Sequence, residues 1–156
     1  MIAIIRIRNE TSSYELCELD LMKFSEEQVR ERMSERGIKD DTFFVYGFSD
    51  WGVDTQMNLQ VAYMLKKLIV EVYEGDDDIV KYWLQSHRKP LELFHVYWEF
   101  ISKSEEDAMF EIFNRLNKET VITMFCVEKS LANVARSLIS QSRILKTDKG
   151  FYYSEH

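Results

Sequence analysis

Apolar and polar positions along the first fifty residues follow a pattern typical of three β-strands. Residues 1–8 (MIAIIRIR) are β-branched and end in strict alternation, and residues 14–19 alternate again. Turn-forming residues at 9–13 lie between them, so we expect the two segments to pair as a β-hairpin. Residues 42–48 (TFFVYGF) form a third apolar run, which predicts a third strand.

A helix is predicted between the second and third strands. Ser25 and Gln28 have the spacing of a capping box, in which each side chain binds the other residue's backbone N–H. Gly37 is the expected end of this helix, since glycine commonly follows a helix C-terminus. The N-terminal part of the chain is therefore predicted to have a ββαβ order.

Two helices are predicted in the middle of the chain. Residues 56–73 carry a broad apolar face, which indicates a helix packed on the core, and Gly75 follows it. The acidic run at residues 76–78 begins a second helix that extends to about His87. Pro90 ends it, because proline cannot continue a helix.

Residues 91–102 fit two periodicities. Leu91, Phe94 and Trp98 suit helical spacing, whereas aromatic and β-branched residues alternate strictly from Phe94 to Phe100. We favour a strand over the second half, because these residue types are enriched in strands.

The remaining chain is predicted to begin with a capped helix. Ser104, with Asp107 three residues later, predicts a helix that extends to Asn117. We then expect a strand, a helix and a closing hairpin, over residues 121–127, 130–139, and 143–146 with 151–154.

These elements predict an α+β fold with an N-terminal ββαβ arrangement, a helical middle and a C-terminal strand-helix-hairpin arrangement. The expected lobes are residues 1–52, 53–92 and 93–156, with seams near 50–58 and 90–104. A chain of 156 residues with 46% hydrophobic content has ample material for a core.

Charge is divided unevenly along the chain. Residues 1–114 hold 23 Asp and Glu against 13 Lys and Arg, whereas residues 115–156 hold 4 against 7. The net charge of −7 disfavours nonspecific nucleic-acid binding over most of the chain. The same charge suits a partner that carries a basic, nucleic-acid-binding groove.

Two triple-acid runs are the candidate binding residues. Acids in the first turn of a helix stabilise it, by about 0.3–1 kcal/mol each, which is one interpretation of both runs. The alternative is a negative strip that imitates DNA phosphates. The candidate residues for such a strip are Glu71, Glu74, Asp76, Asp77, Asp78, Glu105, Glu106, Asp107 and Glu111.

No catalytic, cofactor or metal motif is found in the sequence. GxSxG, HExxH, GxxxxGK[ST] and GxGxxG are absent, and the three histidines lack metal-ligand spacing. We therefore expect a protein that is not an enzyme and that needs no cofactor or metal. Two isolated cysteines and the lack of a signal-like or membrane-spanning segment favour a cytoplasmic location.

Two further surfaces remain open from the sequence. The aromatic middle, including Trp83 and Trp98, is either core or a protein-binding surface. The basic C-terminal third, with Arg136, Arg143, Lys146 and Lys149 and the aromatic residues 151–153, is either core, a subunit interface or a patch that contacts phosphates and stacks on bases.

Two segments carry a family resemblance. The first is DTFFVYGFSDWGVDTQMNLQVAYMLKKL (residues 41–68), and the second is SLANVARSLISQSRILKTDKGFYYS (residues 130–154). With the acidic helix start at residues 105–107, their layout resembles the ArdA-type antirestriction proteins, small acidic proteins of plasmids, transposons and phages.

This resemblance implies an elongated α+β chain of small lobes that mimics bent duplex DNA. The implied partner is a host defence enzyme, namely a type I restriction-modification enzyme, whose DNA groove the protein would occupy. The resemblance also implies a homodimer formed through C-terminal elements, with no direct nucleic-acid or membrane binding. The candidate interface residues are Leu131, Val134, Leu138, Phe151 and Tyr153.

Overall fold

The computed structural model describes residues 1–141 and 143–154, which form the predicted mixed α+β fold. The chain forms two compact units, Met1–Phe94 and the part from His95 onward. The division into three lobes stays a prediction beside these two units. No helix among the described residues combines the length and apolarity needed to cross a membrane.

The first unit begins with the predicted ββαβ arrangement. It begins with strands β1 (Ile2–Arg8) and β2 (Ser13–Asp20), which are followed by helix α1 (Glu26–Glu35) and strand β3 (Phe43–Phe48). The sheet is antiparallel throughout, in the order β2-β1-β3. The predicted capping box is confirmed, because the Gln28 N–H donates to Ser25 Oγ at 3.2 Å and the Ser25 N–H donates to Gln28 Oε1 at 2.9 Å.

A short chain reversal follows β3 and leaves no room for a side chain at Gly47. Phe48 and Val53 form an antiparallel β-bridge, and the residues between them include a 3-10 turn over Ser49–Trp51. A Cβ added to Gly47 would lie 1.9 Å from the carbonyl oxygen of Val53, so only glycine fits this position.

The predicted middle helices are confirmed with shorter bounds. Helix α2 is Leu59–Lys67, capped by Asn58, and it continues as a π-helical turn over Leu68–Val72. Helix α3 is Asp78–Gln85, and a 3-10 segment covers Pro90–His95. The core of this unit includes Ile5, Val45, Phe48, Leu65 and Ile79.

The second unit packs helices on a small antiparallel sheet. It begins with strand β4 (Glu99–Ser102), which is followed by helices α4 (Glu105–Arg115), α5 (Lys118–Glu128) and α6 (Leu131–Ser140). Strands β5 (Ile144–Lys146) and β6 (Phe151–Tyr153) come after α6. The sheet order is β4-β6-β5. The strand favoured for the second half of residues 91–102 is confirmed as β4, and so is the closing hairpin.

The strand predicted over residues 121–127 is wrong, because this segment lies inside α5. Its β-branched residues suggested a strand, but Asn117 Oδ1 accepts the Thr120 N–H at 2.8 Å and caps a helix there. The second unit therefore places three helices between β4 and the hairpin.

Candidate acidic and apolar surfaces

The first acidic run is built into the first unit. The carboxylates of Asp76, Asp77 and Asp78 lie within 4.8 Å of one another at the start of α3. Asp76 Oδ1 accepts the Asp78 N–H at 3.0 Å, and Asp77 Oδ2 accepts the indole N–H of Trp51 at 3.1 Å. Asp78 is only 8% exposed. The run therefore connects α3 to the turn after β3, and only part of its charge faces solvent.

Such a group of carboxylates can hold a divalent cation in principle. Here Asp76 already accepts a backbone N–H and Asp77 already accepts an indole N–H. Because those donors account for the arrangement, we assign no metal site to the cluster.

The two glutamates that precede this run are exposed. Glu71 lies 3.7 Å from Lys67, one helical turn earlier, in a solvent-facing pair that contributes little energy. Glu74 has a positive φ of 50° just before Gly75, where the chain turns toward α3.

The second acidic run lies on the surface. Glu105, Glu106 and Asp107 form the exposed first turn of α4. Ser104 Oγ accepts the Asp107 N–H at 3.4 Å, which confirms the predicted cap. No ion pair joins any of these three carboxylates to another residue within 1–141 or 143–154. Their negative charge is therefore available to a partner.

Glu111 differs from this run because it shares a cation with Glu99. Arg115 donates to Glu99 at 2.5 Å and to Glu111 at 3.3 Å. The hydrogen bond from Arg115 holds the pKa of the Glu99 carboxyl below its ordinary value. The three side chains border a groove of about 390 Å³ whose walls also include Phe100 and Phe110.

Four of the five candidate interface residues are core residues. Val134, Leu138, Phe151 and Tyr153 are buried together with Met109 and Ile112 of α4. Their side chains pack inside the unit, so they offer no surface to a second copy. Leu131, at 37% exposed, is the remaining candidate that reaches solvent.

The two tryptophans that the sequence left open between core and protein-binding surface are buried. Trp83 and Trp98 are 4% and 2% exposed, which favours the core interpretation. Exposed aromatic surface comes instead from neighbours, with Tyr97 at 60%, Phe100 at 45% and Phe110 at 68%.

Within the residues that the structure describes, the aromatic side chains at 151–153 of the basic C-terminal third offer no open face to a base. Phe151, Tyr152 and Tyr153 are buried, so they cannot stack on bases. The Lys146 ammonium lies 5.5 Å from the ring centroid of Phe151 and covers it further.

An apolar helix is the surface that sequence reasoning missed. Helix α5 carries the run VITMFCV, yet it contains no buried residue. The signal that could have found it was the capping spacing of Asn117 and Thr120, which was outweighed by the β-branched content of the segment.

The comparisons with known proteins do not place the chain in a family, because no protein-family model, curated protein or solved structure matches it.

Proposed function

We propose that this protein is a non-catalytic inhibitor of a host defence nuclease, acting as an acidic DNA mimic in the DNA-binding groove of a type I restriction-modification enzyme. The observation that carries the proposal is the first turn of α4. Glu105, Glu106 and Asp107 are exposed there, and none forms an ion pair with another described residue.

The mechanism is occupancy of the groove. Arg and Lys side chains that normally contact phosphates would contact carboxylates instead, and the surrounding negative field would accelerate encounter. Each contact is weak, so affinity comes from several acting together and falls as salt screens them.

Burial narrows the set of acids that serve this role. Asp78 is buried, and Asp76 and Asp77 are half-buried with internal hydrogen bonds. The mimic charge then rests mainly on Glu74, Glu105, Glu106 and Asp107. Glu71 and Glu111 contribute less, because Lys67 and Arg115 pair with them.

The test is binding to a purified type I methyltransferase core, with and without competing duplex DNA. We expect the duplex to displace the protein and rising salt to weaken binding steeply. The combined variant Glu105→Gln, Glu106→Gln, Asp107→Asn should lose about tenfold in affinity, since three exposed contacts of roughly 0.5 kcal/mol sum to about 1.5 kcal/mol.

A matched control separates position from net charge. Glu10, Glu15 and Glu18 are exposed acids near the β1–β2 hairpin, and their triple glutamine variant removes the same formal charge. It should bind almost as well as the unchanged protein. Equal losses in both triples would assign the effect to net charge, and no binding by the unchanged protein would overturn the proposal.

A second candidate function rests on the exposed aromatic residues. Phe110 and Phe100 line the groove next to Arg115, a suitable contact surface for an inhibitor of the anti-CRISPR kind that binds by shape. Salt-insensitive binding that is lost on Phe110→Ala would favour this function over DNA mimicry. For a nucleic-acid-binding regulator, the third alternative, the burial of residues 151–153 removes the stacking surface that suggested it.

A further inference from the structure

Helix α5 is apolar on more sides than its own chain covers. Ile122 and Val127 are 63% and 69% exposed, and Cys126 is an exposed free thiol. A helix with this composition is normally enclosed by neighbouring elements.

One side of α5 does have partners within the unit. Met124 packs against the core cluster, and the Phe125 ring lies 5.3 Å from that of Phe113. At 100° per residue, Ile122 and Cys126 lie about 40° apart, on the side of the helix opposite Met124 and next to Phe125. They form an open apolar stripe one turn long.

Opposite charges lie at the two ends of this stripe. Glu119 is in the first turn of α5, within about 60° of Ile122, and Lys129 is the C-cap residue one turn beyond Cys126. No ion pair joins either residue to another part of the chain that the structure describes. Along the helix, the order of these exposed residues is therefore acid, apolar, apolar, base.

We propose that α5 is a homodimer interface, in which the helix packs antiparallel against α5 of a second copy. Turning the stripe end for end places Glu119 opposite Lys129 of the second copy and Ile122 opposite Cys126. Both ion pairs form at once, because a two-fold interface uses the same patch on each chain.

The charge order is what selects a second copy as the occupant. An antiparallel pair brings the positive end of each helix dipole beside the negative end of the other. A parallel pair would place Glu119 against Glu119 and Lys129 against Lys129, and like charges in contact disfavour it. The interface is independent of the acidic runs and uses none of the four buried residues at first expected to form it.

The decisive experiment is a charge exchange followed by sedimentation equilibrium. Glu119→Lys and Lys129→Glu, each alone, should weaken self-association at least about tenfold, since every homodimer then contains two like-charge contacts. Mixing the two variants should restore a heterodimer, in which both contacts are again between opposite charges. Circular dichroism checks that each variant is folded.

A thiol probe tests the register. Ile122→Cys places a new thiol opposite the native Cys126 of the second copy, so mild oxidation should give a disulfide-linked dimer within minutes. The matched control is Val127→Cys, which lies about 100° round the helix from Cys126 and should crosslink slowly. Both variants carry Cys17→Ser, which removes the other thiol.

Each outcome decides the proposal. Recovery on mixing and rapid crosslinking at position 122 support antiparallel α5 pairing. A folded protein that is monomeric at high concentration overturns it, and so does a dimer that the charge variants leave unchanged. Neither measurement involves the nuclease, so failure of the proposed function leaves these results interpretable.

Discussion

Two acidic runs of three residues begin helices in the two units, and their side chains have different fates. Asp77 accepts a hydrogen bond from Trp51, and Asp78 is buried. Glu105 and Glu106 lie in solvent, with Ser104 as the cap beside them. The same sequence feature therefore forms internal contacts that stabilise the first unit, whereas it forms an exposed anionic surface in the second.

The difference shows that the number of acids in a sequence is not the charge that a partner meets. The charge that a partner meets depends on whether a hydrogen-bond donor from elsewhere in the chain reaches the carboxylate. Trp51 does so for the first run from 26 residues away.

Replacing Trp51 should damage the first unit most. Its ring lies 4.8 Å from that of Phe48, and it is nearly buried, so Trp51→Ala should cost about 3–5 kcal/mol in the free energy of unfolding. Urea denaturation followed by circular dichroism measures this loss. Trp51→Phe keeps a ring but removes the N–H donor, and a cost equal to that of the alanine variant would contradict the packing contribution.

Removing one acid from each run should separate the two roles. Asp77→Ala leaves the Trp51 N–H without its acceptor, which should destabilise the protein by about 1–3 kcal/mol. Glu106→Ala, the matched change in the second run, should stay within about 0.5 kcal/mol. Thermal unfolding of both variants compares them directly. Similar losses of stability in the two variants would mean that the second run also forms contacts that stabilise the fold.

The cap of α4 should contribute about 1 kcal/mol. Ser104→Ala removes the acceptor for the Asp107 N–H and should lower stability by that amount. Ser104→Asp restores an acceptor and should recover most of the loss in the same denaturation experiment. A neutral Ser104→Ala variant would show that the first turn is held by other contacts.

The smallest effect is a pH dependence at Glu99. Its pKa is below the ordinary value in the folded protein, so its pairing with Arg115 stabilises the fold above the ordinary pKa. That stabilisation, under about 1 kcal/mol for a solvent-facing pair, is lost as the pH falls through the folded pKa. NMR titration should show the Glu99 pKa return to its ordinary value in Arg115→Gln, and an unmoved pKa would exclude Arg115 as the cause.

Local signals made much of the fold predictable. The cap at Ser25 and the apolar run before Gly47 each depend on residues close in sequence, and both predictions were confirmed. Residues 121–127 failed because β-branched side chains favour strands on average, whereas the Asn117 cap and packing against Phe113 favour a helix here.

The candidate site was less predictable, because burial depends on distant partners. Nothing near Asp77 indicates that Trp51 would reach it, and nothing near Leu138 or Tyr153 separates a core residue from an interface residue. The exposed run at 105–107 was predictable as a capped helix start, but its freedom from ion pairs depends on where every lysine and arginine lies.

The close contact at Gly47 limits which substitutions this position tolerates. With the Val53 carbonyl 1.9 Å from where a Cβ would be, every side chain at this position must displace the backbone. A saturation screen for the proposed inhibitory activity should therefore show near-complete intolerance at residue 47, the profile expected of a residue that contacts a target. Here that profile would report the close approach of two chain segments, and measuring soluble yield for the same variants would tell the two causes apart.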